Sequence, residues 1–515
     1  MFSFVFLLLN NLRFLFFFLS FVTLGFSQAE ASHWYFGNGA GLIFDTTAGT
    51  VLGTNAAAST ISTSEGCSSI SDFNGNLLFY TDGRNVWDKN HIIMPNANYN
   101  AGTGLLGDPS STSSGLIIPK PGNTDQYYVF TVDEPHHQNA FAFPNQGPAD
   151  VSGNAISSYD SGGSVPLADD GFNNGLAYSL VDLTLNSGDG DIVTSEKNIQ
   201  LQTYDPNDQS QAAYKCSEKI TAVEHDDGQS YWVVTHFINK FYAFRVDASG
   251  VNPIPVTTTT TPSISQQGYR RNGIGYMKAS PDGSKIAVCH RQNGNTEGQN
   301  SNNTGSVWLY DFDNQTGIIS NPLNVYPNSG PYGVEFSAEA TKLYVTSDDS
   351  VIQFDLEAPN PAATITTVHS GFDFIGALQL GPDGKIYAAN TGNQSALDVI
   401  NAPEELGVLC GYTNAGIALA PGTSAIIGLP PFIQSFFLAS IVVENNCLGE
   451  STQFNVSTSQ AFDEILWNFG DGLPTGTSTA INPSYNYANP GTYTVTAEIT
   501  SGTEINTFSQ TITIS

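Results

Sequence analysis

Gly275–His290 reads GYMKASPDGSKIAVCH, two stretches with apolar residues at alternate positions on either side of Ser280-Pro281-Asp282-Gly283. Period-2 apolar runs joined by a turn that accepts positive φ form an antiparallel hairpin. The unit recurs at Cys67–Asp82 (CSSISDFNGNLLFYTD), Thr221–His236 (TAVEHDDGQSYWVVTH), Tyr332–Thr346 (YGVEFSAEATKLYVT) and Leu378–Asn390 (LQLGPDGKIYAAN). A degenerate copy lies at Leu116–Val132 (LIIPKPGNTDQYYVFTV). The units start near residues 67, 116, 221, 275, 332 and 376, at spacings of about 49, 105, 54, 57 and 44. Apart from the long interval, this is the period of a four-stranded propeller blade. The long interval holds a Gly/Asn/Asp-rich stretch, roughly Glu134 to Gly175, that reads as an insertion. A third strand follows the hairpins, as in Ser306–Phe312 (SVWLYDF) and Ser350–Leu356 (SVIQFDL).

The two ends of this region imply a seventh blade. Leu429–Phe437 (LPPFIQSFF) has no hairpin partner after it, and Trp34–Phe44 (WYFGNGAGLIF) has no strand before it. Joined, they close the ring with strands from both termini and leave no exposed sheet edge. The expected fold is therefore all-β, a seven-bladed β-propeller over 30–440. Six or eight blades also fit the spacing, and a pair of β-sandwiches is the competing architecture.

Composition agrees. Only 12% of the 515 residues are charged and 50 are Gly, so the strong helix formers are scarce. A formal net charge of −31, from 16 Lys+Arg against 47 Asp+Glu, excludes a nucleic-acid binder, which needs cations to neutralise phosphate. No Lys or Arg follows Lys385. Such a surface repels other anionic surfaces, so a neutral glycan is the ligand most compatible with it.

Residues 1–29 read as an export signal: Arg13, then an apolar run from Phe14 to Phe26, then small residues Ser27, Ala29 and Ala31. The run falls short of the ~20 residues that span a bilayer, so no membrane span is expected after cleavage. The five cysteines show no metal-ligand spacing. Export permits disulfides, and Cys410 with Cys447, both near the end of the propeller region, is the expected pair.

Several stretches carry a family resemblance as a set: His33-Trp34-Tyr35-Phe36-Gly37, Ser64-Glu65-Gly66-Cys67, Gly75–Gly83, Val86-Trp87, Gly104–Gly107 and Gly428–Phe437. Residues 33–437 resemble the propeller-like N-terminal region of secreted surface proteins of the Bacteroidetes type. In that group PKD domains and a gliding-motility-associated sorting domain follow. Residues 441–515 fit this order. Trp467-Asn468-Phe469-Gly470-Asp471-Gly472, Asn482-Pro483-x-Tyr485-x-Tyr487 and Pro490-Gly491-Thr492-Tyr493-Thr494-Val495 are similar to the PKD domain, an immunoglobulin-like β-sandwich. Trp467 and Phe469 alternate with polar residues, as do Tyr493, Val495 and Ala497, so each set faces one core. The group's pattern continues with a sorting domain where this sequence stops at Ser515, so either the chain is a fragment or export and attachment differ from the group's usual route.

The resemblance implies a non-enzymatic protein, secreted or on the outer cell surface. The propeller would be an adhesion platform for an extracellular glycan or surface protein, with the PKD domain as spacer and a link to gliding motility. The alternative is an extracellular propeller hydrolase or lyase acting on a polysaccharide or lactone, which predicts carboxylates and a His converging at the channel mouth. Candidate ligand contacts are Asp82, Arg84 and Trp87, a charged pair and an indole that suit a sugar, and Arg270-Arg271, the adjacent cationic pair that suits an anion. No catalytic residue is assigned, since nucleophile-elbow, zinc-protease and P-loop motifs are absent. His136 and His137, beside Asp133 and Glu134, are the metal candidates. His225 and His236 should fall at opposite ends of their hairpin. No cofactor is expected; the Asp/Asn-Gly turns leave Ca²⁺ as an adventitious ligand at most, because the EF-hand ligand pattern is missing.

Overall fold

The computed structural model describes residues 29–515 apart from 46–49, 56–60, 73, 135–173, 209–210, 212–213, 266–271, 295–303, 438–439, 446, 458–463, 474, 502–503 and 515. Antiparallel sheets account for nearly all the regular structure. Among the described residues no helix is long and apolar enough to cross a membrane.

Seven sheets follow one another from His33 to Ala418. Sheet one pairs His33–Phe36, Ala40–Asp45 and Thr50–Asn55, and sheet two pairs Ser68–Ser71, Leu77–Thr81 and Val86–Asp88. Sheets three to seven open with Leu116–Pro119, Ile220–Glu224, Met277–Ala279, Pro331–Phe336 and Ile375–Leu380, and each continues outward through its next strands in chain order. From sheet two to sheet seven these first strands lie side by side around a common axis. They are covered on both faces, which explains why Pro331–Phe336 and Ile375–Leu380 are buried throughout while outer strands such as Tyr412–Ala418 are largely exposed.

The hairpin turns behave as their residues dictate. In Ser280–Gly283 the Gly283 amide donates to the Ser280 carbonyl at 2.9 Å, with Gly283 at φ +68°. The Ser280 hydroxyl donates to the Asp282 carboxylate at 2.5 Å. The other repeat units land on the first two strands of sheets two, three, four, six and seven, as the spacing predicts.

The ring closes between sheets seven and two, where both chain ends meet. The Ala377 amide donates to the Ile427 carbonyl at 2.7 Å, and the Ile427 amide to the Ser64 carbonyl at 3.1 Å. The C-terminal stretch thus takes the innermost place of sheet one, although it forms no regular ladder there. Trp34 fixes the junction, with ring centroids 4.9 Å from Phe44, 5.4 Å from Tyr387 and 5.9 Å from Phe432. Burying such a side chain contributes on the order of 3 kcal/mol, so the closure rests more on aromatic packing than on backbone pairing.

After the ring comes a two-sheet sandwich. One sheet pairs Ser440–Glu444, Thr452–Ser457 and Ser484–Tyr485; the other pairs Glu464–Asn468, Thr477–Ser478, Gly491–Ser501 and Glu504–Ile514. Trp467, Phe469, Val495 and Ala497 are buried together, as their alternation predicts. The two polar tips of this core are satisfied: Trp467 Nε1 donates to the Ala480 carbonyl at 3.0 Å, and the Tyr487 hydroxyl to the Phe469 carbonyl at 2.9 Å.

Candidate functional site at the mouth of the ring

The contacts expected from sequence do not form a ligand platform. Asp82, Arg84 and Trp87 are buried, 5%, 5% and 2% exposed. Asp82 folds its own turn, accepting from the amides of Arg84 at 2.9 Å and Asn85 at 2.6 Å. Arg84 is ion-paired with buried Asp108 and lies over the Tyr99 ring at 4.6 Å. Trp87 stacks on Tyr80 with centroids 5.2 Å apart. These three residues hold sheet two together; a glycan platform needs exposed rings, and here the strands use them. Cys410 and Cys447 are free thiols, the first buried and the second exposed, so the expected bridge is not formed. Arg270, Arg271, His136 and His137 lie outside the described residues. His225 and His236 stand at opposite ends of their hairpin, His225 stacked on Trp232 at 5.3 Å. Among the described residues no group of three His, Cys, Asp or Glu side chains stands where it could hold a metal ion.

A different set of residues converges. In each sheet the second strand runs antiparallel to the first, so its last residues lie at the same end of the ring as the first strand's beginning. At this end, the upper mouth, stand Glu65 ahead of sheet two, Thr112 ahead of sheet three, and Glu218 and Lys219 ahead of sheet four. Tyr276 and Tyr332 stand at the starts of sheets five and six; His290 closes the second strand of sheet five, and His236 stands one residue before the end of the second strand of sheet four. All are buried.

Thr112 is the hub. Its hydroxyl lies 2.5 Å from Glu218 Oε2 and 3.4 Å from Glu65 Oε2, and its amide donates to Glu218 Oε2 at 2.9 Å. Two carboxyl groups from different sheets therefore meet at one hydroxyl. The Tyr332 hydroxyl faces Glu65. Tyr276 and Tyr332 pack edge to face at 5.5 Å, and Tyr332 meets Phe374 at 5.3 Å. Beside Glu218, the Lys219 ammonium donates to the carbonyls of Gly273 and Ile274, the latter at 2.9 Å. Beyond it the His236 and His290 rings meet at 5.0 Å.

Burial sets the protonation of this group. Glu218 is pushed up to about 7 by burial and by the Glu134 carboxylate, against the opposing pull of Thr112 and Lys219. Burial, with Glu218 and Glu134 nearby, holds Glu65 well above the usual carboxylate range. Burial lowers Lys219 to about 8. Burial and then Lys219 depress His236 to about 3, while burial, His236 and Lys219 take His290 well below its ordinary value. Near neutral pH Glu218 is poised to lose or take a proton, Glu65 is biased toward its protonated form, and the imidazoles are neutral. Burial and like charge push both carboxyls the same way, toward the protonated form, and a close like-charged pair gives up its protons one at a time. Glu218 Oε1, His236 Nε2 and both ring nitrogens of His290 are buried without a hydrogen-bond partner. Buried polar atoms are rarely left so, and these four offer contacts to a polar guest.

The sandwich described above, which carries the Trp-x-Phe-Gly-Asp-Gly strand and turn, lies within a match to a family model over 439–515. Residues 439–515 are a PKD domain. This PKD domain is similar to the PKD1 domain of the Vibrio cholerae metalloprotease PrtV, at 29% identity over 15% of this chain and 93% of that one, TM-score 0.13. Over 78% of its length the chain is similar to a putative 6-phosphogluconolactonase from Bacteroides uniformis, at 11% identity and 98% of that chain, TM-score 0.42. Over 78% it is also similar to a periplasmic gluconolactonase from Pseudomonas aeruginosa, at 14% identity and 88% of that chain, TM-score 0.33. No curated protein matches the chain.

Proposed function

We propose that the chain is an extracellular acid–base enzyme, a hydrolase or lyase, with Glu65 and Glu218 as its reacting pair and a neutral, polyhydroxylated lactone or glycoside as substrate. The observation that carries this reading is the meeting of the two carboxyl groups at the Thr112 hydroxyl. In hydrolysis Glu218 takes a proton from the attacking water while Glu65 gives its proton to the oxygen that leaves. A C–O bond forms as another breaks, and proton exchange with solvent restores the pair. The neutral imidazoles and the tyrosines suit hydroxyl groups better than charged ones, and a net charge of −31 disfavours anionic substrates. Action outside the cell is supported by the export-like leader and the PKD domain. The adhesion role implied by the family resemblance leaves the buried acid pair without a use, and its expected glycan contacts are themselves buried.

The test is a panel of neutral sugar lactones and neutral oligosaccharides, offered to the full chain and to Glu218→Gln. Turnover by the wild type that falls at least 100-fold in the variant is expected. A variant as active as the wild type, or no turnover anywhere in the panel, overturns the reading.

A further inference from the structure

Glu65 lies outside any strand, on the run that leads into Ser68–Ser71. The groups facing it are the carboxyls of Glu218 and Glu134, the hydroxyls of Thr112, Tyr276 and Tyr332, and the Cys67 thiol beside it, with Lys219 beyond Glu218. Of these only the Cys67 thiol touches its backbone, donating to the Glu65 carbonyl at 3.6 Å; the run is otherwise held from two other sides. On one, the amides of Glu65 and Gly66 both donate to the Pro109 carbonyl, at 3.0 and 3.1 Å. On the other lies the C-terminal stretch, where the amides of Ile427 and Gly428 both donate to the Ser64 carbonyl, at 3.1 and 3.0 Å.

Gly428 is pressed against Glu65 itself. A Cβ at this position would stand 1.9 Å from the Glu65 carbonyl oxygen and 2.5 Å from its Cα. Its φ is not in the left-handed region, so closeness of approach, not conformational freedom, demands the glycine. The stretch below is firmly anchored. The Ser68 hydroxyl donates to the Pro431 carbonyl at 3.2 Å, Phe432 packs on Trp34, and Ile433 is buried with Leu116 and Ile220. The Glu224 amide donates to the Ser435 hydroxyl at 3.0 Å. Glu224 ends the first strand of sheet four, so the chain crosses the lower mouth of the ring before the PKD domain begins.

We propose that Gly428 is a positioning residue for Glu65: the stretch that closes the ring also sets the acid against Thr112 and Glu218. The inference rests on the proposed reacting pair, but its test needs no substrate. A carboxyl held protonated by burial lowers stability as pH rises above its ordinary value of 4.5, because the unfolded chain ionises first. Displacing Glu65 toward solvent removes that cost at pH 8 and changes the folding constant by only about twofold at pH 4.5. Gly428→Ala, the milder Ile427→Ala and the control Phe432→Ala are compared with the full-length wild type by urea unfolding at both pH values. For Gly428→Ala the loss in folding constant is expected to be at least tenfold smaller at pH 8 than at pH 4.5. Ile427→Ala, which shortens a side chain without a backbone collision, shifts in the same direction by less and decides the matter if Gly428→Ala does not fold. Phe432→Ala loses the same at both pH values. Equal losses at the two pH values for Gly428→Ala and Ile427→Ala overturn the proposal. A substrate panel without turnover would count against the acid–base reading and leave the positioning result standing.

Discussion

Replacing Glu218 with Gln should make the protein more stable and inactive at once. The amide keeps the side chain's shape and can still accept from the Thr112 hydroxyl and amide. What it removes is the cost of a buried ionisable group. Folding raises Glu218 from 4.5 to about 7. Between those values the unfolded chain has released its proton and the folded chain has not, so stability falls as pH rises through the window and levels off above it. At about 1.4 kcal/mol per tenfold change in proton affinity, the wild type carries a penalty of about 3 kcal/mol above pH 7 that the variant lacks. His236 and His290 act in the opposite sense, since depressed imidazoles lose stability as pH falls. They are present in both proteins and cancel in the difference. Urea unfolding of the two proteins from pH 4.5 to pH 8.5 should give curves that coincide at the acid end and separate by about 3 kcal/mol in the variant's favour above pH 7. A variant that is less stable than wild type at pH 8, or a difference that does not change with pH, would refute the assignment of Glu218 as a carboxyl strained by its site.

Four further outcomes follow from the packing. Lys278, Glu335 and Gln379 form a buried network on the first strands of sheets five, six and seven, with Lys278 Nζ 3.0 Å from Glu335 Oε2. Lys278→Met strands the Glu335 carboxylate and should cost about 3–5 kcal/mol in urea unfolding, most of it recovered in Lys278→Met/Glu335→Gln. Arg84→Ala leaves Asp108 buried without its guanidinium and should cost a similar ~3–5 kcal/mol, while neutral-glycan binding on an array is unaffected, because Arg84 holds sheet two and faces no ligand. Trp467→Ala empties the centre of the PKD domain and should cost that domain about 3–5 kcal/mol, seen by calorimetry as an earlier transition separate from the ring's. In the native protein a thiol reagent should modify Cys447 alone, with Cys67, Cys216, Cys289 and Cys410 reacting only after denaturation.

The ring was readable in the sequence because each sheet repeats one local event, a period-2 run, a turn such as Ser280–Gly283, and a second run. Such signals lie within about 16 residues of chain and survive without knowledge of the neighbours. Trp34 and Leu429–Phe437 were also legible as complementary loose ends. The misreading of Asp82, Arg84 and Trp87 has a physical cause: a charged pair beside an indole looks the same in sequence whether it faces a sugar or the next strand. Only the position of Asp108, 24 residues after Arg84, decides between them. Glu65, Thr112 and Glu218 were illegible for a related reason. They come from three sheets, and no spacing along the chain links residue 65 to residue 218.

One trace of the site does lie in the repeats. A strand whose residues are buried on both faces should end on an apolar side chain, yet the second strand of the hairpin unit gives way to Asp82, Asp133-Glu134, His290 and Asn390 in four of the sheets, and in sheet four it carries His236 one residue before its end at Phe237. Desolvating a polar group costs several kcal/mol without a compensating contact, so a polar residue recurring at the same structural position calls for something that compensates it. Antiparallel pairing brings all of these ends to one mouth of the ring, which is where the carboxyl pair sits. His236 and His290 remain without partners on three of their ring nitrogens. The repeat therefore builds the scaffold with its turns and its apolar runs, and builds the site with the few positions at which those runs break. Replacing His290 with Phe, a flat ring slightly larger than imidazole, removes both unpartnered nitrogens and should raise stability by about 1–3 kcal/mol while lowering any turnover. A His290→Phe protein that is less stable would mean these nitrogens are satisfied within the fold, and the mouth would lose its claim to a polar guest.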